Sequence, residues 1–380
     1  MDTQFGQYPA KHPGFTRINP PSDYGRCLRE AEKSRGRAVI RNKVLLVSGL
    51  PLKKDTSFKR QLELLGKFLT KRGIEHILLG PDPDIETAIC QNTADAAILL
   101  GYHDQFPFLN SRTGIPLWLW AQLSRPIDSR CLGEAIPVPL TPLTKKYLIQ
   151  SGVENIGPVI PHGVDTDIYL PLDGEKKEKL RMQYGIGEEF VIGTVAANSS
   201  RKRLDRIIES FSIFASSAQR TLLFIKTDRV KGVDGTDLLM LSERYGVRGK
   251  VVIIEESFGE NRMAEVYNLM DLYLTLSEWE GFCIPIIEAM ACGVPIATHE
   301  VQGPGELVPY DDLLVKGSTG VFEGETRLLL ADSKQAALVL LRAYEEIGIL
   351  PALGEIGRME VLQKYDMRVV SNMWESLVQQ

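Results

Sequence analysis

From Val44 onward, short apolar runs alternate with segments whose apolar residues recur every three or four positions, the pattern of parallel strands joined by crossover helices. Two such series follow one another. In the first, Val44 to Val47 reads as a strand, and Phe58, Leu62, Leu65 and Leu69 share a helical face before a strand from Ile77 to Leu79. Ala96 to Leu100, Pro116 to Trp120 and Ile136 to Leu140 continue the sheet, and Thr141 with Pro142 suits the cap and first turn of a helix ending near Gly152. The second series opens with Phe190 to Val195, followed by a helix carrying Leu204, Ile207, Ile208, Phe211 and Phe214. Leu222 to Ile225, Val251 to Ile254 and Leu272 to Leu276 are its next strands, with a helical stripe of Met263, Val266, Tyr267 and Met270 before the last of them.

Residues 1–40, rich in proline and without a sustained period, read as an irregular extension. Residues 41–170 and 171–365 read as two Rossmann-like domains, and 366–380 as an amphipathic helix with Met367, Val370, Met373, Trp374 and Leu377 on one face. A length of 380 residues fits two cores better than one. The balance of 44 basic against 49 acidic side chains, net −5, gives no bulk charge for nucleic-acid binding, and none is expected. Five scattered cysteines show no paired spacing, which argues against a disulfide framework or a zinc site and for a reducing, cytoplasmic setting. No apolar stretch approaches the roughly 20 residues of a membrane span, leaving peripheral membrane contact open.

The most informative stretch is Ser277 to Met290, a strand-loop-helix in which Pro285 suits a first helical turn and Gly293 a helix end. In an open parallel sheet the carboxyl ends of strands face the binding crevice, so Glu280 and the amides of Gly281, Phe282 and Cys283 should meet a ligand there. Glu288 follows about one helical turn in. Ionised carboxylates accept strong hydrogen bonds from vicinal hydroxyls, so the pair suits a sugar and a ribose. Two glutamates at this spacing alone carry little information. The basic loop from Asn198 to Arg203 adds to them, because cations at a helix start oppose the helix dipole and suit an anion site.

The run from Tyr267 to Pro295, with Glu280-Gly281-Phe282, Pro285, Glu288-Ala289-Met290 and Cys292-Gly293-Val294-Pro295, resembles the donor site of family-4 glycosyltransferases of GT-B fold. Ile160-Pro161-His162-Gly163-Val164-Asp165 is similar to the family's entry into its second domain, and Gly193-Thr194-Val195 leads to the basic loop as it does there. The resemblance implies an α/β GT-B fold, two Rossmann-like domains facing a cleft with a C-terminal helix crossing back to the first. It implies a retaining, metal-independent hexosyltransferase using a UDP- or GDP-linked sugar and no cofactor, with a sugar, lipid or protein acceptor. Glu280 would hold the donor sugar, Glu288 the ribose, and Lys202 the diphosphate, with Arg201 and Asn198 beside it. Gly303 and Gly305, after a strand from Ile296 to Thr298, would lie near the diphosphate.

The chain departs from that pattern at four places. Cys283 stands where the family usually has glycine, and Ala197 where it has the phosphate arginine, so Arg201 or Arg203 is the expected substitute, Arg201 first. Gln122 replaces a first-domain histidine, for which His103 is a candidate replacement, and Gly49 stands where two glycines are common. Acceptor-side contacts are therefore expected from Gly49, His103 and Gln122. His162 reads as a turn residue, and Tyr267 and Met263 as core. Two competing readings remain: a glycoside hydrolase using Glu280 and Glu288, which leaves the basic loop unexplained, and a non-catalytic GT-B module that binds a nucleotide or a partner. An NAD-dependent oxidoreductase is disfavoured because no GxGxxG follows a predicted strand.

Overall fold

Strands buried on both faces need no alternation, and the inner strands of the first sheet are of this kind: all six residues of Ala96–Gly101 are buried. The computed structural model describes residues 43–53, 56–81, 94–102, 105–106, 114–123, 125–232, 236–300, 303–316, 318–323 and 326–380. Its first sheet holds β1 (Lys43–Ser48), β2 (Glu75–Leu79), β3 (Ala96–Gly101), β4 (Leu117–Ala121) and β5 (Ile136–Pro139), all parallel in the order β2-β1-β3-β4-β5. Between β1 and β2 runs α1 (Ser57–Thr70), its first turn capped by the Thr56 hydroxyl, which accepts from the Lys59 amide at 3.2 Å. After β5 comes α2 (Pro142–Gln150), capped by Thr141 with Pro142 in the first turn.

The second sheet is also parallel and holds β6 (Phe190–Val195), β7 (Thr221–Lys226), β8 (Val251–Ile254), β9 (Leu272–Thr275), β10 (Ile296–His299) and β11 (Leu314–Val315), in the order β11-β10-β9-β6-β7-β8. Its helices are α3 (Gly174–Gln183), α4 (Leu204–Ala215), α5 (Leu238–Arg244), α6 (Glu260–Asn268), α7 (Ile284–Ala291) and α8 (Pro304–Leu307). An antiparallel hairpin, β12 (Ser318–Glu323) with β13 (Thr326–Ala331), follows, and then α9 (Ser333–Glu345), α10 (Leu350–Glu360) and α11 (Met367–Val378). The strand order reverses between β6 and β9, which makes a switch point where the loops after these two strands diverge and leave a crevice. Those loops carry Lys202 and Glu280.

The chain passes twice between the two sheets, and the two passages pair. The Val164 amide donates to Tyr365 O and the Met367 amide to Val164 O, each at 2.9 Å, so the segment entering the second domain pairs with the segment leaving it. Thr166 donates to Asp366 at 2.5 Å, and the buried Gln61 of α1 pairs with Gly163 through both halves of its amide. The C-terminal α11 crosses back to the first domain, where Trp374 meets Trp120 edge to face at 5.2 Å.

Candidate functional site

The loop after β9 turns sharply because Cys283 takes a left-handed conformation, φ 85°, as the cap of α7, and Pro285 then sets the first turn. A backbone hydrogen bond from Glu278 N to Arg201 O, 2.8 Å, ties this loop to the one after β6. From the third side, Gly303 approaches so closely that a Cβ there would lie 2.6 Å from Glu280 O; its φ of +77° also favours glycine. Three loops thereby fix the backbone of Glu280.

The Glu280 carboxylate is buried, and its two oxygens are divided between two cations: Oε2 meets Arg201 Nη1 at 2.8 Å and Oε1 is in contact with Lys202 Nζ. Burial works to raise its pKa, but Lys202 and Arg201 outweigh that and hold it below the ordinary carboxylate value. Arg201 also lies over the Trp279 ring, 5.1 Å from its centroid. Glu288 sits one turn into α7 and behaves oppositely: burial raises its pKa, although the Tyr267 hydroxyl donates to Oε2 at 2.5 Å. The two carboxylates are pushed apart, one kept ionised and the other eased toward its neutral form.

On the facing wall, Gln122 follows β4 and its Nε2 lies 2.5 Å from Nε2 of His162. His162 is buried, with Trp120 at 4.7 Å and Phe282 at 5.2 Å between ring centroids, far from the exposed turn its sequence neighbours imply. Burial lowers its pKa to about 3, so the ring stays neutral. His103 lies outside the described residues.

These groups line a cavity of about 570 Å³ between the sheets, whose wall includes Arg201, Lys202, Gln122, Glu288 and the run Glu280–Cys283. Other predicted residues are placed elsewhere. The Asn198 amide donates to Val230 O at 3.0 Å and Thr236 O at 2.6 Å, bracing its own loop, and Arg203 pairs with Asp205 at 2.8 Å. Gly49 donates to Leu100 O at 2.9 Å, and Gly305 lies within α8; neither they nor Gly303 are in the cavity wall. Conversely, Arg60, Gln61, Asp165 and Lys226 line the cavity without having been singled out. A polar side chain on the buried face of α1 was the available signal for Gln61, and the end of a strand was the signal for Lys226. Tyr267 is buried as the apolar stripe requires, yet its hydroxyl serves Glu288. Among the described residues no group of three His, Cys, Asp or Glu is arranged to hold a metal, and no helix is long and apolar enough to cross a membrane.

Residues 176–337 match the family model for glycosyl transferases group 1. Over this segment, 162 of the 380 residues, the chain is similar to glycosyl transferases group 1. The segment contains Lys202, Glu280 and Glu288, three of the residues drawn together above. The chain is 24% identical over 145 residues to the serotype-specific mannosyltransferase WbdA of Escherichia coli, covering 38% of this chain and 18% of that protein. It is 28% identical over 171 residues to N-acetyl-alpha-D-glucosaminyl L-malate synthase of Bacillus anthracis, covering 44% of this chain and 42% of that one. The chain thus spans less than half the length of these two relatives. Among solved structures, Anabaena Alr3699/HepE in complex with UDP and glucose superposes with a TM-score of 0.69 at 16% identity, over 89% of this chain and 100% of that one. A sucrose-phosphate synthase of Thermosynechococcus elongatus superposes at 0.74 and 15%, over 90% and 99%. The matched segment and the sheet before it together form the GT-B fold.

Proposed function

We propose that the chain is a retaining, metal-independent hexosyltransferase that takes a sugar from a UDP- or GDP-linked donor and passes it to a sugar, lipid or protein acceptor. The reading rests on one observation: a buried glutamate, Glu280, shared between Arg201 and Lys202 at a switch point, in the wall of a cavity between two sheets. A departing nucleotide diphosphate gains negative charge, and two prepositioned cations offset it where water is excluded. When the diphosphate takes those cations, the Glu280 oxygens become available to the hydroxyls of the transferred sugar. Glu288, steadied by Tyr267, would accept from the ribose. Arg201 stands in for the arginine missing at Ala197. Holding both substrates in register accounts for much of the expected acceleration without a protein nucleophile.

The names of the relatives support the donor class. A GDP-mannose-dependent alpha-mannosyltransferase of Mycobacterium tuberculosis is 26% identical over 212 residues, and Alr3699/HepE has been solved with UDP-glucose. A cytoplasmic setting, with peripheral membrane contact where the acceptor is a lipid, accompanies this reading.

The opposite pKa directions of Glu280 and Glu288 also fit a hydrolase pair, so the test must separate the two. UDP-glucose and GDP-mannose are offered with mixed sugar, lipid and peptide acceptors, while free UDP or GDP and the product anomer are followed. Acceptor-dependent nucleotide release, a retained α-anomer and no loss with chelator are expected. Activity restored to chelated protein by magnesium or manganese removes metal independence. Sugar release from a simple glycoside without nucleotide replaces the proposal with a hydrolase, and nucleotide binding without turnover replaces it with a binding module.

A further inference from the structure

Among the described residues, six phenylalanine, tyrosine and tryptophan side chains line the cavity, and five of their rings are already covered. Phe58, Tyr169, Phe258 and Phe282 are buried, and the Arg201 guanidinium lies over the Trp279 ring, 5.1 Å from its centroid. Tyr102 is the exception: it is 38% exposed and directly follows β3, at the carboxyl end of the first sheet. An open ring in a cavity wall leaves a large apolar face in water that a ligand can cover.

The open ring is nevertheless held in place. Phe58 meets it edge to face at 5.8 Å between centroids, and the Tyr102 amide donates to Gln105 Oε1 at 2.9 Å. Two glycines make room for that Gln105 amide: a Cβ at Gly101 would lie 2.6 Å from the same oxygen, and one at Gly49 closer still. Tyr102 is also an electrostatic neighbour of Arg201, which pairs with Glu280. From the first domain, the ring therefore borders the place where an incoming hydroxyl must meet the donor.

Its surroundings select among acceptors. A pyranose carries hydroxyls around its rim and C–H groups on its faces, so it can stack on an aromatic ring while polar groups take the rim. Ser57, Arg60 and Gln122 supply such groups in the same wall. Phe58 and Leu64, the apolar residues of α1 in that wall, are themselves buried and leave little track for an acyl chain. A peptide would pair with a strand edge, but the edge strands of the first sheet, β2 and β5, contribute nothing to the wall.

We propose that Tyr102 is the stacking platform of an acceptor subsite and that the acceptor is a saccharide, one pyranose face laid on the ring. The inference rests on the glycosyl-transfer reading of the site.

Two measurements on the full-length protein test it. The first is saturation-transfer NMR with methyl α-glucoside, methyl α-mannoside, maltotriose and mannotriose in the presence of UDP or GDP, which needs no turnover. Transfer to pyranose C–H protons is expected, lost in Tyr102→Ala and kept in Tyr102→Phe, which retains the ring. No transfer to any of these saccharides, or transfer undiminished in Tyr102→Ala, overturns the platform. The second is the KM for the same saccharides at saturating UDP-glucose or GDP-mannose. Tyr102→Ala is expected to raise it roughly 5- to 20-fold and Tyr102→Phe less than about twofold, with donor KM and thermal stabilisation by UDP or GDP unchanged. Equal rises in acceptor and donor KM overturn the assignment, since they mark a general disturbance of the cavity. A polyprenyl phosphate or a serine-rich peptide accepted where every saccharide is refused overturns the class. If wild type turns over neither donor, the reading of the site as a transferase falls, while the NMR result still decides whether the ring holds a saccharide.

Discussion

The two walls of the cavity differ in how they are built. The wall from the second domain is charged, buried and internally satisfied: Glu280 is paired on both oxygens, and Glu288 is held by Tyr267. The facing wall from the first domain offers polar groups from separate elements, including Gln61 on α1 and Gln122 after β4, with the linker residue His162 between the domains. On the proposed reading the charged wall meets a diphosphate and its sugar, whose chemistry is constant, and it is organised in advance. On that reading the other wall meets the acceptor, and its groups come from α1, the end of β4 and the segment between the domains.

The sharpest way to break this contrast is to remove a cation. Lys202→Ala should lower kcat on the order of 10²- to 10³-fold, the loss seen when one preorganised transition-state donor is deleted. A loss under tenfold in steady-state kinetics would mean the charged wall is not where leaving-group charge is met.

Removing the carboxylate instead reads its pairing. Glu280 has a folded pKa below its unfolded value of about 4.3, so it adds stability above that value and the contribution is lost as pH falls through the folded pKa. Glu280→Gln should therefore flatten the acid limb of a urea-stability profile below about pH 4.3. It should also cost about 3 kcal/mol near neutrality, since breaking a buried pair leaves charge unmatched. An unchanged acid limb would show that the ion pairs do not form in solution.

A smaller effect is expected at the second carboxylate. Tyr267→Phe removes a donor to the ionised form of Glu288, so its already raised pKa should climb further. Its sign is opposite to that of Glu280: the protonated form is favoured by folding at low pH, and that advantage is lost as pH rises through the folded pKa. Titration calorimetry should find UDP or GDP affinity reduced about tenfold, with a loss that grows toward acid pH. Equal loss at all pH values would point to packing alone.

The smallest effect is expected at Cys283. Its left-handed φ is strained for a side-chain-bearing residue, and its contribution is expected through the backbone, so Cys283→Gly should keep kcat/KM within about threefold. A much larger loss would give the buried thiol a role of its own. Together the four substitutions rank the charged wall above the hydrogen-bonded carboxylate, and both above the turn.

Much of this was legible along the chain, and the reason is local. The inner strands read as apolar runs because they are buried on both faces, and the caps at Thr141 and Pro142 act within one turn of themselves. Glu280, Pro285 and Glu288 lie on one strand-loop-helix, so their spacing alone sets where they fall. Helices α9 and α10 and the β12–β13 hairpin carry no comparably clear local signal. The amphipathic face of α9 packs against α4, a partner more than a hundred residues away.

What lay beyond the chain's own pattern depends on pairs remote in sequence. Glu280 meets Lys202 and Arg201 because the strand order reverses between β6 and β9, and nothing near residue 202 announces a partner 78 positions on. The local pattern makes His162 a turn residue, yet the two chain crossings bury it between Trp120 and Phe282. Asn198 looked like a ligand-facing residue in a basic loop, and its side chain braces Val230 and Thr236. Local pattern sets which segments become strands, helices and turns, because burial period and capping act within a few residues. Which charges share a pocket, and which wall a side chain faces, is settled only when distant segments are brought together, because Coulomb and hydrogen-bond energies depend on separation in space.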